Sequence, residues 1–436
     1  ALAIPIMASS FLGTLYNICD MAWVGTLGAK TVAGVGVGGM YMWLASGFAT
    51  LPRMGGQVLT AQAIGAGKKE EAKSYTKAAI HLTLLFGLIF GTIALLFTKQ
   101  LVSFFHLEDE ISGAVAIDYL RITCGFILFN FLNFTLTGLY TADGDSKTPM
   151  YASFIGLIFN MILDPLLILG PGFFPRLEAI GAALATVISQ GMVTCILCFR
   201  MNSKRTKATV FQKQRYFSFS DKRIYGGIVS IGAPASIQSM AYCFISMVLS
   251  RFVSAFGPEA FAVSRVGGQI ESISWNTADG FSAAINSFCG QNFGAGKDDR
   301  IKKGYVFSLL TSFLWGVLVL LAFVIFPRPI SSIFFHEEKA IAISIAYLII
   351  IGISEPFLMA EIVTSGALSG LGRTKLCSVI SIVLTGIRIP LAFVLMRTSL
   401  LLNGIWWTYT ITSFLKGLVF TLTFFSGIWQ KRAEAK

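Results

Sequence analysis

Long apolar runs separated by short polar punctuation dominate this chain. Twelve stretches reach the length of about 20 mostly apolar residues that a helix needs to cross a bilayer. They fall near 3–26, 34–60, 78–99, 115–140, 148–170, 178–200, 224–254, 261–288, 305–326, 340–369, 375–396 and 403–428, and are numbered here as spans 1 to 12. No segment shows the two-residue alternation of a membrane-barrel strand. The pattern predicts an all-α integral membrane protein with twelve transmembrane helices.

Composition strengthens that reading. Hydrophobic residues make up 55% of the chain and charged residues 13%, against about 25% charged in ordinary soluble domains. Mean hydropathy is +0.72. A net charge of +12 could suit nucleic acid, but its placement points elsewhere. The even-numbered loops and the C-terminal tail hold 22 Lys and Arg, dense over Lys68–Lys77 and Arg200–Arg223, whereas the odd loops hold six. Loops rich in Lys and Arg stay on the cytoplasmic side, so both termini are expected inside and no nucleic-acid partner is expected. The chain starts within an apolar run at Ala1, with no basic leader and no cleavage site; the reading is a trimmed N-terminus rather than a signal peptide. Cys195 and Cys198 form a C-x-x-C on an apolar span, where core packing is expected rather than metal or redox chemistry.

The chain contains itself twice. AQAIGAGKKEEA at 61 matches GQNFGAGKDDRI at 290, FFHLEDE at 104 matches FFHEEKA at 334, and TGLYTADGDSK at 137 matches SGALSGLGRTK at 365, shifts of 228 to 230 residues. Two six-helix repeats of the same orientation follow, residues 1–200 and 222–436, joined by a basic cytoplasmic linker over 201–221. Transporters are commonly built from such repeats and work by alternating access. The two GAGK stretches lack the spacing of a phosphate loop and read as turns.

Within this apolar background Asp20 and Asp164 each stand alone in a span. A carboxylate at membrane depth costs on the order of 2.5–3.5 kcal/mol even on the lenient scale, and such residues mark ion or proton paths. The repeat supplies an internal control: Asp20 maps to Leu249, Asp164 to Ala392 and Asn160 to Arg388. The fold does not demand acids at those places. Asn160 and Asp164 are four apart and share a helix face. Pro165 is expected to bend the helix and frees the Met161 carbonyl, adding an oxygen suited to a monovalent cation. Two carboxylates side by side cannot easily both ionise, so a pair here could load and release a proton.

Several stretches in order resemble the multidrug and toxic compound extrusion (MATE) family of the MOP flippase superfamily. They are PIMASSFLGTLYNICDMAWVGTLG in span 1, AQAIGAGK after span 2, TADGDSKTP after span 4, NMILDPLLI in span 5 and IGAALATVISQ in span 6. The resemblance covers essentially the whole chain. It implies a V-shaped two-lobe fold with a central cavity, exporting amphipathic, often cationic compounds in exchange for H⁺ or Na⁺. It also implies Tyr119 and Thr186 as hydroxyl partners of the acids and Pro5 as a bend in span 1. Some members place further acids on helices 7 and 10. Span 7 here has none, and Glu355 and Glu361 in span 10 are secondary candidates, although pairing with Arg388 is the simpler expectation.

The cavity is expected to be lined by adaptable apolar and aromatic groups, with Met40, Tyr41, Trp43 and Trp275 as candidates. The functional expectation is a monomeric, cation-coupled exporter in a prokaryotic plasma membrane. It uses no cofactor and no metal beyond Na⁺ at Asp20, Asn160 and Asp164. The alternative within the superfamily is a lipid-linked precursor flippase. A membrane enzyme is disfavoured because His81, His106 and His336 show no metal-ligand spacing, and a channel because duplicated halves suit alternating access.

Overall fold

The computed structural model describes residues 12, 20, 23–24, 27, 29–104, 110–170, 175–201, 209–211, 218–335 and 337–430. Pro5, Cys19, His106, His336, most of span 1 and most of the linker lie outside these residues. Among the described residues all regular structure is helical, in two compact units, Ala1–Ser236 and Ile237–Lys436.

The first unit holds α1 (Ala29–Gly65), α2 (Lys69–Leu96), the short α3 (Thr98–Ser103), α4 (Glu110–Gly125), α5 (Ile127–Ala142), α6 (Lys147–Leu169), α7 (Glu178–Met201) and the start of α8 (Lys222–Ser254). The second holds the rest of α8, then α9 (Pro258–Gly294), α10 (Asp298–Ile325), the short α11 (Pro327–Phe334), α12 (Glu338–Gly370), α13 (Thr374–Gly386), α14 (Arg388–Leu395) and α15 (Leu402–Phe425). Among the described residues seven helical stretches are long and apolar enough to cross a membrane, and the α4–α5 pair makes an eighth. Spans 4 and 11, expected as single helices, are each two. The first bends by 47°, and both breaks follow a glycine, Gly125 and Gly386, the kind of residue at which helices kink.

The repeat is visible in local geometry. Gly67 (φ 74°) and Gly296 (φ 70°) close matching turns in which Lys68 N–H donates to the Ala63 carbonyl at 3.0 Å and Lys297 N–H to that of Asn292 at 2.9 Å. These six-to-one bonds are Schellman caps, so both GAGK stretches are helix-ending turns. Gly38 on α1 lies directly under the Tyr119 ring and Gly267 on α9 under the Tyr347 ring, so close that a Cβ at either glycine would overlap it. Both pairs are related by the repeat shift.

The surface is apolar, unlike that of a soluble protein. Leu96, Phe307 and Leu310 are 70%, 72% and 64% exposed, while hydroxyls pair inside, as where Thr83 donates to Thr135 at 2.8 Å. Bilayer-facing helices behave this way because lipid solvates apolar groups and not polar ones. Cys195 and Cys198 follow the outward pattern: both are exposed, so the core-packing expectation for them is wrong. They lie on the α7 flank next to its buried Thr194 and Leu197.

The first unit reaches past the polar stretch at 201–221. Ser236 Oγ donates to the Gly47 carbonyl at 2.7 Å, and a Cβ on Gly232 would overlap the Leu51 carbonyl. Small residues thus let the start of α8 dock on α1. Val210 and Phe211 are buried in the same unit, the latter with its ring 4.6 Å from that of Tyr140.

Candidate functional site

The packing face of α6 runs through Pro149, Ala152, Gly156, Asn160, Asp164 and Ile168, a three- and four-residue rhythm that carries two polar side chains into the interior. The partner helix α7 offers Gly181, Ala182, Ala183, Ala185 and Thr186, and a Cβ on Gly181 would overlap the Leu167 carbonyl. This close approach seals the polar pair away from lipid. Asn160 and Asp164 are both 0% exposed, and Asn160 Nδ2 donates to Asp164 Oδ1 at 3.0 Å.

Asp20, 8% exposed, lies within electrostatic reach of both Asp164 and Tyr119. The Tyr119 hydroxyl interacts with that of Thr186. The five residues singled out as a cation or proton site therefore come together in the first unit. Its chemistry is an excess of acceptors. Asp20 Oδ1, Asp164 Oδ2 and Asn160 Oδ1 are buried without a hydrogen-bond partner among the described residues. A buried acceptor left unmatched costs about 1–3 kcal/mol, and a proton, a monovalent cation or water would satisfy these three. Pro5 falls outside the described residues, and Pro165 lies within an unbroken α6.

The corresponding place in the second unit is apolar. Leu249 and Ala392, the repeat equivalents of Asp20 and Asp164, are fully buried in one hydrophobic cluster with Ile245, Val253, Ala260 and Ile405. The second unit's own polar groups gather elsewhere. Tyr347 donates to Glu271 at 3.3 Å, and Glu355, 0% exposed, accepts from Ser274. The expected pairing of Glu355 and Glu361 with Arg388 is not what forms. Glu361 takes Lys416 at 2.6 Å, and Arg388 donates to Thr412 at 2.7 Å and Ser413 at 3.3 Å, with its guanidinium over the Tyr409 ring. The reason is rotational: Lys416, Thr412 and Ser413 share a face of α15 that turns toward both partners.

Among the cavity candidates, Met40, Trp43 and Trp275 are exposed, at 39%, 50% and 41%. Tyr41 is instead half-buried, and its hydroxyl donates to the Leu101 carbonyl at 2.8 Å, which makes it a clasp between α1 and α3. Sequence reasoning missed Arg53, the single charged residue in the span 2 run, whose guanidinium lies 4.1 Å from the centre of the Phe134 ring. The rule that picked out Asp20 would have found it.

A polytopic helical bundle built from two repeats, with polar clusters buried among apolar helices, defines a membrane transporter. The MatE family model matches residues 5–166 and again 234–394, and the chain belongs to the MATE family, a family of transporters rather than enzymes. A second model, lipid II flippase MurJ, matches residues 132–256. The probable multidrug resistance protein NorM of Thermotoga maritima is 29% identical, over 99% of this chain and 92% of its own. The probable multidrug resistance protein YoeA of Bacillus subtilis is 27% identical, over 98% and 93%. A solved outward-facing MATE transporter superposes with a TM-score of 0.91 at 22% identity, covering 99% of this chain and 96% of that one, which speaks to fold.

Proposed function

We propose that this protein exports small amphipathic, mainly cationic compounds by antiport against H⁺ or Na⁺, with Asp20 and Asp164 carrying the coupling ion. The observation that supports this most is the trio of unmatched buried oxygens on Asp20, Asn160 and Asp164. A cluster with more acceptors than donors gains most from a proton or a small cation, and binding there would be lost and regained as access alternates. Tyr119 and Thr186 complete the site with hydroxyls that can turn their oxygens toward a cation or donate to a bare carboxylate. The names of the relatives support multidrug export as the cargo class. The protein acts as a monomer in a prokaryotic plasma membrane with both termini inside, in keeping with the distribution of Lys and Arg.

The test is ethidium efflux from proteoliposomes under a proton gradient and, separately, a sodium gradient. The wild type is expected to respond to one of them, and Asp20→Asn and Asp164→Asn each to abolish the response while the protein still folds. Wild-type rates in both variants would sink the coupling assignment. Transport of no dye under either gradient would favour the flippase reading, toward which the partial MurJ match leans.

A further inference from the structure

Lys77 on α2 is the last charged residue before a run that carries none until Lys99, 22 residues later. At about 1.5 Å per residue the two stand about 33 Å apart, close to the hydrocarbon thickness of about 30 Å. Lys77 therefore lies at one face of the bilayer, and His81, one turn on, lies just beneath it. Both stand on a single ridge of α2. Leu85, Leu88 and Leu96 continue that ridge at helical spacing, all exposed, opposite the buried flank of Thr76, Ile80, Thr83 and Gly87. Such a ridge meets lipid tails along its length and headgroups at its charged end.

The repeat again serves as a control. The shift of 229 residues maps Lys77 to Val306 and His81 to Leu310, both exposed and apolar. The scaffold thus asks only for a lipid-facing side chain at these places, and the first unit puts a cation and an imidazole there.

The polar segment before α8 is fastened across this end of the ridge. Lys77 Nζ donates to Ser218 Oγ at 3.0 Å, and Ser220 Oγ donates to the Ser74 carbonyl at 3.3 Å. His81 Nδ1 shares a hydrogen bond of 2.7 Å with the Tyr225 hydroxyl. Between the two pinned serines Phe219 is 86% exposed, its ring 5.6 Å from that of His81. An aromatic held outward at a bilayer surface meets the headgroup level. The balance of charge here is positive. Glu70 and Glu71 are taken up by Lys73 and Lys68 at 2.7 and 3.1 Å. Asp221 accepts from the Arg223 backbone N–H at 3.0 Å, and Lys222 shares a face of α8 with Tyr225. The Lys77 ammonium has three N–H donors and gives one to Ser218.

We propose that Lys77, His81 and Phe219 form a binding site for an anionic phospholipid, with the phosphodiester at the Lys77 ammonium and one acyl chain along Leu85 and Leu88. The apolar ridge below the cation decides for a lipid over a free phosphate, which gains nothing from it. Charge-assisted contacts from Lys77 hold the headgroup, and Phe219 covers the glycerol region. Bound there, the lipid fastens the segment at 218–220 to α2 and stabilises the fold. Such a site operates whatever the cargo and the coupling ion.

The test titrates palmitoyl-oleoyl phosphatidylglycerol, the matching phosphatidylcholine and glycerol phosphate against the full chain in detergent micelles, with the melting temperature as readout. Wild type is expected to be stabilised by phosphatidylglycerol at a lower mole fraction than by phosphatidylcholine, and not by glycerol phosphate. One lysine at a membrane surface strengthens anionic lipid binding about fivefold. Lys77→Gln should therefore raise the half-saturating phosphatidylglycerol fraction by about that factor, and Lys77→Arg should restore it. Lys302→Gln, which removes the repeat equivalent of Lys73 from the second unit, should leave it unchanged. Equal weakening in Lys77→Gln and Lys302→Gln marks a general effect of net charge and overturns the assignment, as does equal stabilisation by the two lipids. Stabilisation by glycerol phosphate to the same extent overturns the lipid in favour of a small anion. Should Lys77→Gln fail to fold, Phe219→Ser decides, because its side chain is exposed: an unchanged phosphatidylglycerol titration in that variant refutes the site, and a severalfold weaker one supports it.

Discussion

Glu361→Gln discriminates between an ion-coupling acid and a structural ion pair. Glu361 Oε1 and Lys416 Nζ are 2.6 Å apart, with side-chain exposures of 11% and 4%. Neither end reaches water, and Arg388 lies within electrostatic reach of Lys416. Removing the carboxylate charge leaves a buried ammonium facing a second cation. Breaking a buried pair by deleting one partner costs about 3–5 kcal/mol. At about 1.4 kcal/mol per decade this shifts the folded-to-unfolded ratio by roughly two to three and a half orders of magnitude. Replacing both groups by apolar residues of similar size removes both desolvation penalties and is often neutral. Glu361→Gln and Lys416→Met are therefore each expected to lower stability strongly, and Glu361→Leu with Lys416→Met to recover most of it. Thermal melts in detergent and reversible unfolding in dodecyl sulfate read the three variants. The same samples in proteoliposomes should show Glu361→Gln retaining gradient-driven efflux per folded molecule, unlike Asp164→Asn. A Glu361→Gln protein of wild-type stability that transports nothing would refute the structural reading and move the coupling ion into the second unit.

Gly232→Ala places a methyl against the backbone carbonyl of Leu51, which cannot swing aside; overpacking of this kind costs about 1–3 kcal/mol, read as a lowered melting temperature. Tyr41→Phe removes the hydrogen bond to the Leu101 carbonyl and is expected to cost about 1 kcal/mol with no change in the spectrum of exported dyes. An altered spectrum would return Tyr41 to the cavity wall. Arg388→Lys keeps a cation over Tyr409 but cannot reach Thr412 and Ser413 together as the planar fork does; a loss of about 1–3 kcal/mol is expected in the same melts.

The spans were legible because lipid imposes one requirement, length of apolar run, that a sequence displays directly. The breaks at Phe126 and Ile387 were not, because each lies inside a run long and apolar enough to read as a single helix. Asn160 and Asp164 could be placed on one face from spacing alone, while Tyr119 and Thr186, on other helices, needed a family resemblance. The pairing of Glu361 with Lys416 rather than Arg388 depends on how α12, α14 and α15 are rotated about their axes, and no local pattern encodes that.

The two units also separate scaffold from chemistry. Gly38 beneath Tyr119 and Gly267 beneath Tyr347 form the same seat, so duplication of the fold supplies a buried tyrosine hydroxyl in each unit. Acids meet those hydroxyls from different helices: Asp20 and Asp164 approach Tyr119 from the first segment and α6, whereas Glu271 reaches Tyr347 from α9. Where the first unit keeps Asp20 and Asp164, the second buries Leu249 and Ala392. A requirement of folding would have held in both copies, since both carry the same helices and the same seat. The acids differ because the seat tolerates either an apolar or an acidic neighbour.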